Sequence, residues 1–144
     1  MATRTAKAHW EGTLFEGKGS VALESSGVGT FDVSWPSRTE APNGQTSPEE
    51  LIAAAHASCF SMAFSNQLAQ AGATIDALDT SADVTVEKTE GGFAITGIRL
   101  TTRGRVSGID EAEFQAAADR AKTGCPVSKA LAGTTITLDA ALES

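Results

Sequence analysis

Residues 47–72 read SPEELIAAAHASCFSMAFSNQLAQAG and decide the fold, because they predict one long helix with almost no charge beyond its first turn. Ser47 fits the position before the helix, Pro48 fits the first turn, and Glu50 would complete a capping box with the serine. A glycine follows the periodic pattern, so the helix is expected to run from Pro48 to about Ala71. Small or apolar side chains lie on nearly every face, which predicts a helix covered on most sides.

The stretch from Leu51 to Ile75 contains no Asp, Glu, Lys or Arg and is long enough to span a bilayer. Serine and amide side chains interrupt its apolar character, as does His56, and the adjacent Asn66 and Gln67 would be costly in hydrocarbon. We therefore interpret the stretch as a buried or interfacial helix of a soluble protein.

Short β-like runs precede this helix, around Thr5–Trp10, Gly19–Glu24 and Gly29–Trp35, with glycine-rich and serine-rich turns between them. These runs predict a three-stranded meander within residues 1–36. The following segment, Pro36–Gly44, is rich in turn-forming residues and predicts a loop.

Two further strands are expected after the helix, at about Asp79–Lys88 and Phe93–Arg103. The apolar alternation of the second changes phase at Gly97, which predicts a β-bulge there. A last strand is expected near the C-terminus, where Ile136, Leu138, Ala140 and Leu142 alternate with polar residues.

Two more helices are predicted between these strands. The first opens at Asp110 in a sequence resembling a capping box and ends at Gly124, and the second runs from Pro126 to about Leu131. The resulting order, βββ-α-ββ-α-α-β, lacks regular βα alternation and is typical of the α+β class. The buried face of the first helix is expected to carry Phe114, Ala117, Ala118 and Ala121.

Length and charge limit the domain count and the partners. The 144 residues predict a single domain, 1–144, made of the meander (1–36) and a helix and sheet core (47–144). A net charge of −7 disfavours nucleic acid and anionic membranes, so neither is expected as a partner. The residues after Met1 show no apolar stretch before a cleavage site, so a reducing cytoplasmic location is expected.

Cys59, in the middle of the long helix, and Cys125, at the start of a short one, are the first candidates for chemistry. Cys59 could be a small buried hydrophobe, because reactivity would need a cation near its thiolate and only His56 is close in the helix. Cys125 could be a hinge residue, but the start of a helix also favours a thiolate. Together the two positions suit an attacking and a resolving thiol.

Arg38 in the predicted loop and Glu49 at the helix start complete the candidate group. Each also has a simpler explanation, a solvated loop charge and a favourable acid in a first helical turn. A zinc site would need His9 and His56 to converge on both cysteines, and we do not expect one.

Four segments of the sequence carry a family resemblance: HWEG at 9–12, GKG at 17–19, SPEELIAAAHASCFSMA at 47–63, and GCPVSK at 124–129. Together they resemble the osmotically inducible protein C (OsmC) family, which is related to the organic hydroperoxide resistance (Ohr) proteins. The resemblance covers essentially the whole chain, and both cysteine segments match in kind and in spacing. The histidine after the alanine run and the Glu-Glu pair resemble the OsmC branch.

This resemblance implies a thiol-dependent peroxidase of stress defence that acts on organic hydroperoxides and, less well, on hydrogen peroxide. By motif position, Cys59 matches the peroxidatic cysteine, Cys125 the resolving cysteine and Glu49 the site glutamate, while the site arginine falls at Arg38. The family fold is an intertwined homodimer with long central helices packed between sheets. An external dithiol, a small molecule or a lipoyl-type protein, is expected as reductant, and no cofactor or metal is needed.

The helix geometry adds an expectation about the site. Ten residues separate Glu49 from Cys59, about 15 Å along a straight helix, which exceeds the reach of a glutamate. Two such helices packed antiparallel would bring each Glu49 toward the centre of the other, so a site shared across a dimer is expected. Two other classes stay open: a redox-sensing or ligand-binding dimer without turnover, and a structural dimer with incidental cysteines.

Overall fold

The computed structural model describes residues 1–143. Its elements confirm the α+β class and the predicted order, with one additional short helix before the long one. The chain forms two compact units, residues 1–51 and the residues from 52 onward. The elements are β1 (Lys7–Glu11), β2 (Lys18–Ala22), β3 (Thr30–Val33), α1 (Trp35–Thr39), α2 (Pro48–Gln70), β4 (Thr74–Thr89), β5 (Gly92–Ser107), α3 (Glu111–Gly124), α4 (Pro126–Ala130) and β6 (Thr135–Glu143).

The first unit is built on the predicted meander, an antiparallel sheet in the order β1-β2-β3. Gly19 lies opposite Trp10 in this sheet, and a Cβ at that position would come within 2.6 Å of the indole ring. The glycine therefore lets the Trp10 ring lie flat across the neighbouring strand.

The prediction of a loop over Pro36–Gly44 is wrong at its start, because Trp35–Thr39 is a short helix. Ser34 and Ser37 form a reciprocal capping box: Ser34 Oγ accepts from the Ser37 amide at 3.2 Å, and Ser37 Oγ accepts from the Ser34 amide at 3.1 Å. Pro36 lies in the first turn, where its fixed φ suits a helix. The loop-like composition of the segment conceals this capping pattern.

Helix α2 begins where predicted and ends one residue earlier than expected, with Gly72 just beyond it at φ +86°. Ser47 Oγ accepts from the Glu50 amide at 3.1 Å, as expected of an N-cap. The other half of the predicted capping box is different, because the Glu50 carboxylate accepts a hydrogen bond from the Thr46 hydroxyl at 2.5 Å.

The expectation that α2 is covered on most sides is not met within one chain. Beyond its first turn, only one stripe of α2 is buried, consisting of His56, Phe60, Phe64 and Leu68. The other side, called here the exposed face of α2, faces solvent and carries small and polar residues together with one methionine. Its members are Ala54, Ala55, Ser58, Met62, Asn66 and Ala69.

The second unit contains a sheet in the order β4-β5-β6, with β4 and β5 antiparallel and β5 and β6 parallel. The predicted strands are confirmed, and β4 and β5 are longer than expected. The register passes from Thr85 opposite Gly97 to Val86 opposite Ile95, so the predicted irregularity lies beside that glycine.

Aromatic rings from α2 and α3 form the centre of the second unit. Phe64 packs against Phe60 and Phe114 with ring centroids 5.5 and 5.1 Å apart. The predicted buried face of α3 is confirmed, since all four of its residues are at most 1% exposed. Within residues 1–143, no helix is long and apolar enough to cross a membrane.

Candidate active site

The two cysteines of the second unit lie side by side. Cys59 projects from α2 and is half-buried, while Cys125 is fully buried at the N-cap of α4. Their Sγ atoms are joined by a hydrogen bond of 2.8 Å, and both thiols are free. A disulfide between them therefore needs only a small local adjustment.

The surroundings of the two sulfurs shift their pKa values in opposite directions, upward for Cys59 and downward for Cys125. Burial, followed by the hydrogen bond to Cys125, raises the pKa of the Cys59 thiol. Burial also acts to raise the pKa of Cys125, but hydrogen bonds from Cys59 and Ser128 outweigh it, so the pKa of Cys125 is lowered. Within the described residues, no positively charged side chain is among the causes of either shift. The described residues therefore place no cation where it lowers the pKa of the Cys59 thiol.

A buried histidine adjoins the cysteine pair. His56 Nε2 lies 2.7 Å from Ser128 Oγ, and burial lowers the pKa of His56, so the imidazole is neutral at pH 7. The other ring nitrogen, Nδ1, is buried and has no hydrogen-bond partner within residues 1–143. Ser128 lies three residues beyond Cys125 in the first turn of α4, and its side chain and backbone act to lower the pKa of Cys125. The hydroxyl that bonds the histidine therefore belongs to the same helical turn as Cys125.

In the first unit, Arg38 of α1 and Glu49 in the first turn of α2 form a bidentate ion pair. Arg38 Nε donates to the two Glu49 carboxylate oxygens at 2.9 and 3.2 Å, and Nη2 donates to Oε1 at 2.8 Å. The Glu49 side chain is 7% exposed and the Arg38 side chain 32%. The guanidinium carbon also lies 5.8 Å from the centroid of the Trp35 ring. These contacts fix the plane of the guanidinium while part of it stays accessible.

Arg38 also lines a cavity of about 380 Å³ in the first unit. Its other polar contributor is Ser34, and the remaining walls are aromatic or aliphatic. A mostly apolar cavity with few polar groups is typical of a site for a small organic molecule. The apolar walls are Trp10, Leu14, Val33, Trp35 and Pro48.

The four site residues predicted from sequence thus form two close pairs, one in each compact unit. Sequence reasoning missed Ser128, whose only signal was a serine one helical turn beyond Cys125 in the segment GCPVSK. It also left the role of His56 open. Among the residues described, no cluster of three or more His, Cys, Asp or Glu side chains is placed to hold a metal ion.

Comparison with known proteins agrees with the fold and with the predicted family. The family model described as OsmC-like protein matches residues 41–139. The chain belongs to this family, which confirms the resemblance predicted from its motifs.

Individual relatives extend the comparison to nearly the full length. Peroxiredoxin OsmC of Escherichia coli (strain K12) is 47% identical over 141 residues, which cover 98% of this chain and 97% of that protein. The organic hydroperoxide resistance protein of Xanthomonas axonopodis pv. citri (strain 306) is 36% identical over 94 residues, 61% of each chain. The crystal structure of the organic hydroperoxide resistance protein OhrB of Bacillus subtilis superposes with a TM-score of 0.72 at 30% identity, covering 96% of this chain and 98% of that one.

Proposed function

We propose that this chain reduces organic hydroperoxides, and hydrogen peroxide less well, through a sulfenic acid on Cys59 and a Cys59–Cys125 disulfide. At the level its relatives support, it is a thiol-dependent peroxidase with a role in peroxide resistance. The observation that carries the finer proposal is the 2.8 Å contact between the two sulfurs, because a resolving thiol must reach the oxidised one.

The proposed reaction has three steps. The Cys59 thiolate attacks one oxygen of the peroxide, the O–O bond breaks, and the departing alkoxide takes a proton to leave as alcohol. The Cys125 thiolate then attacks the Cys59 sulfenic sulfur, the S–S bond forms, and hydroxide is released as water after gaining a proton. An external dithiol, a small molecule or a lipoyl-type protein, supplies two electrons and two protons to restore both thiols.

Arg38 is proposed to stabilise the Cys59 thiolate and to donate hydrogen bonds to the peroxide oxygens as charge develops on the departing alkoxide. Glu49 holds the guanidinium in position. The need for such a cation is supported by the surroundings of Cys59, where burial and the neighbouring thiol raise the pKa. The pairing geometry supports the role of Glu49, because both carboxylate oxygens are engaged.

We also propose that the active site is shared across a homodimer, in which the Arg38–Glu49 pair of one chain lies beside the cysteine pair of the other. Two observations support this arrangement. The ten-residue separation of Glu49 and Cys59 disfavours a site built along one helix. In addition, the exposed face of α2 carries small side chains that would let a second helix approach closely.

The cavity beside Arg38 supports the preference for alkyl hydroperoxides. Its aromatic and aliphatic walls would remove an organic group from water, at about 25 cal/mol for each Å² of apolar surface buried. Hydrogen peroxide has no such group and would gain only the polar contacts. The proposed preference for alkyl hydroperoxides therefore comes from the apolar walls of the cavity. The proposed reduction itself depends on the two thiols and on the guanidinium of Arg38.

A peroxide-consumption assay tests the proposed activity. With dithiothreitol or dihydrolipoamide in excess, the protein should consume many equivalents of cumene hydroperoxide and should react more slowly with hydrogen peroxide. The expectation follows from disulfide recycling, because each turnover regenerates both thiols. A redox sensor would stop after about one equivalent, and that outcome would replace the enzymatic proposal with the sensing one.

Leu14 offers a separate test of the cavity, since it lines the apolar wall and is half exposed in a loop. Leu14→Asn should lower kcat/KM for cumene hydroperoxide about three- to tenfold and leave hydrogen peroxide within about twofold, because only the alkyl group loses apolar contact. The matched control is Val28→Asn, at a loop residue that is 72% exposed, which should change neither substrate. Equal losses for both substrates would contradict the assignment of the cavity.

A further inference from the structure

We propose that Ser128 and His56 serve the resolving step, by holding a hydrogen-bond donor against the Cys125 sulfur so that this thiol stays ionised for attack on oxidised Cys59. In this proposal the Ser128 hydroxyl donates to the reacting sulfur, and His56 acts through Ser128 as a positioning residue. The inference rests on the proposed function and adds to it a role for Ser128 and His56.

The geometry that carries the proposal lies within α2 and α4 of the second unit. His56 is fully buried and Ser128 is 5% exposed, and their Nε2 and Oγ atoms are 2.7 Å apart. Ser128 lies three residues beyond Cys125 in the first turn of α4, and the Sγ atom of Cys125 lies 2.8 Å from that of Cys59. The proposal adds one hydrogen bond between these two contacting pairs, from the Ser128 hydroxyl to the Cys125 sulfur.

The unpartnered Nδ1 indicates which way the hydrogen bonds point. A buried nitrogen that lacks a partner is less costly as a bare lone pair than as an N–H, since orphaned donors are the rarer case in proteins. The proton of the neutral ring is therefore placed on Nε2, from which it donates to Ser128 Oγ. The hydroxyl proton of Ser128 is then free to donate to the Cys125 sulfur.

With the protons placed in this way, the Ser128 hydroxyl is a fixed hydrogen-bond donor to Cys125, and His56 needs no positive charge to hold it there. When Cys125 loses its proton to solvent, the Ser128 hydroxyl stabilises the thiolate, and neutral His56 keeps that hydroxyl from rotating away. The thiolate then attacks the Cys59 sulfenic sulfur, the S–S bond forms, and the hydroxyl group leaves as water with one proton from solvent. His56 and Ser128 end the step with the protons they had at its start.

Several other titratable or charged side chains lie on the elements around Cys125. Cys59 of α2 contacts it, and His56 of the same helix contacts Ser128. Burial lowers the pKa of His56, which favours the neutral ring above pH 6.5. The last turn of α3 and the whole of α4 carry one charged side chain each, Lys122 and the exposed Lys129, and the earlier turns of α3 carry Glu111, Glu113, Asp119 and Arg120. In the proposed dimer the arginine of a second copy would join this group.

The test is a single-turnover experiment that measures sulfenic acid formation on Cys59 and disulfide formation by Cys125 separately. Reduced protein is mixed with one equivalent of cumene hydroperoxide, and sulfenic acid and disulfide are followed by quenching and mass spectrometry. At pH 6.5, Ser128→Ala should slow disulfide formation about three- to tenfold and leave sulfenic acid formation within about twofold. Above about pH 9 the difference should vanish or reverse, because a fully ionised thiolate of higher pKa is the better nucleophile.

Companion variants make the result specific to the hydroxyl. Ser128→Thr keeps the donor and should retain most of the rate, whereas His56→Leu should give a smaller loss confined to the same step. Ser61→Ala is the matched control, because it removes a half-buried hydroxyl that bonds Thr80 and the α2 backbone. Equal slowing of both steps, or a defect that persists unchanged at high pH, would overturn the inference.

A second measurement does not depend on peroxidase activity. In the Cys59→Ser background, the ultraviolet absorbance of the Cys125 thiolate is titrated with and without Ser128→Ala, and the midpoint should rise by about one pH unit. Coincident midpoints would overturn the role of Ser128 even if the protein is an active peroxidase. Catalytic turnover by Cys59→Ser alone would instead refute the proposed function and leave the titration interpretable.

Discussion

Replacing Cys59 by serine is expected to abolish peroxide reduction, with a loss of at least about a thousandfold in kcat/KM for cumene hydroperoxide. A serine hydroxyl is not ionised near neutral pH and cannot form a sulfenic acid, so both the nucleophile and the intermediate are lost. The measurement is steady-state peroxide consumption with excess dithiol. Residual activity within tenfold of the native protein would contradict the assignment of Cys59.

Cys125→Ser is the matched control, since it removes the other sulfur of the same pair. This variant should still consume about one equivalent of peroxide and then stall as a sulfenic acid, which dimedone traps and mass spectrometry detects. The two variants thus distinguish the attack of Cys59 on the peroxide from the later formation of the disulfide by Cys125. Full turnover by both would leave the cysteines without a catalytic role.

Arg38→Lys is expected to lower kcat/KM by about a hundredfold to a thousandfold, although the charge is retained. The reason is geometric: the planar guanidinium engages both Glu49 oxygens and presents its remaining N–H groups, which an ammonium cannot do. The loss should appear in sulfenic acid formation, measured in a single turnover. Arg4→Lys, at an exposed arginine of the same unit, is the control and should be neutral. A neutral result for Arg38→Lys would exclude the bidentate role.

Subunit mixing extends this test to the shared site. A dimer of one Cys59→Ser chain and one Arg38→Lys chain contains one intact site if the arginine acts across the interface, and none if it acts within its own chain. Random mixing of the two inactive proteins in equal amounts should therefore restore about a quarter of the native activity. Absence of recovery, with exchange verified by mass spectrometry, would place the arginine in its own chain's site.

The fold was largely predictable because its signals are local. The bounds of α2 followed from Ser47, Pro48 and a terminal glycine, and the buried face of α3 followed from helical periodicity. The start of β4 was missed because the register shifts between Ile75 and Ala77, which hides the alternation that marks a strand. Helix α1 was missed for a similar reason, since its cap depends on two serines inside a segment of loop-like composition.

The candidate site was predictable only where a motif marked it. Both cysteines, Arg38 and Glu49 were candidates from the sequence, and the structure shows them as two contacting pairs. The contact of His56 with Ser128 joins residues 72 positions apart, and no periodic pattern encodes it. The apolar cavity was equally hidden, because its walls come from two strands, two helices and a loop that meet only in the folded unit.

If the cavity beside Arg38 binds the peroxide as proposed, the ion pair of the first unit would also select substrates by charge. Glu49 already neutralises Arg38, so the cavity offers N–H donors while carrying little net positive charge. The chain as a whole carries a charge of −7, and its long-range field therefore draws no anion toward the cavity. A hydroperoxide that bears a carboxylate would meet this field without a compensating attraction, whereas an uncharged one would be unaffected by it. The pairing of Arg38 with Glu49 would thus favour neutral peroxides at the proposed site before any contact with a thiol is made.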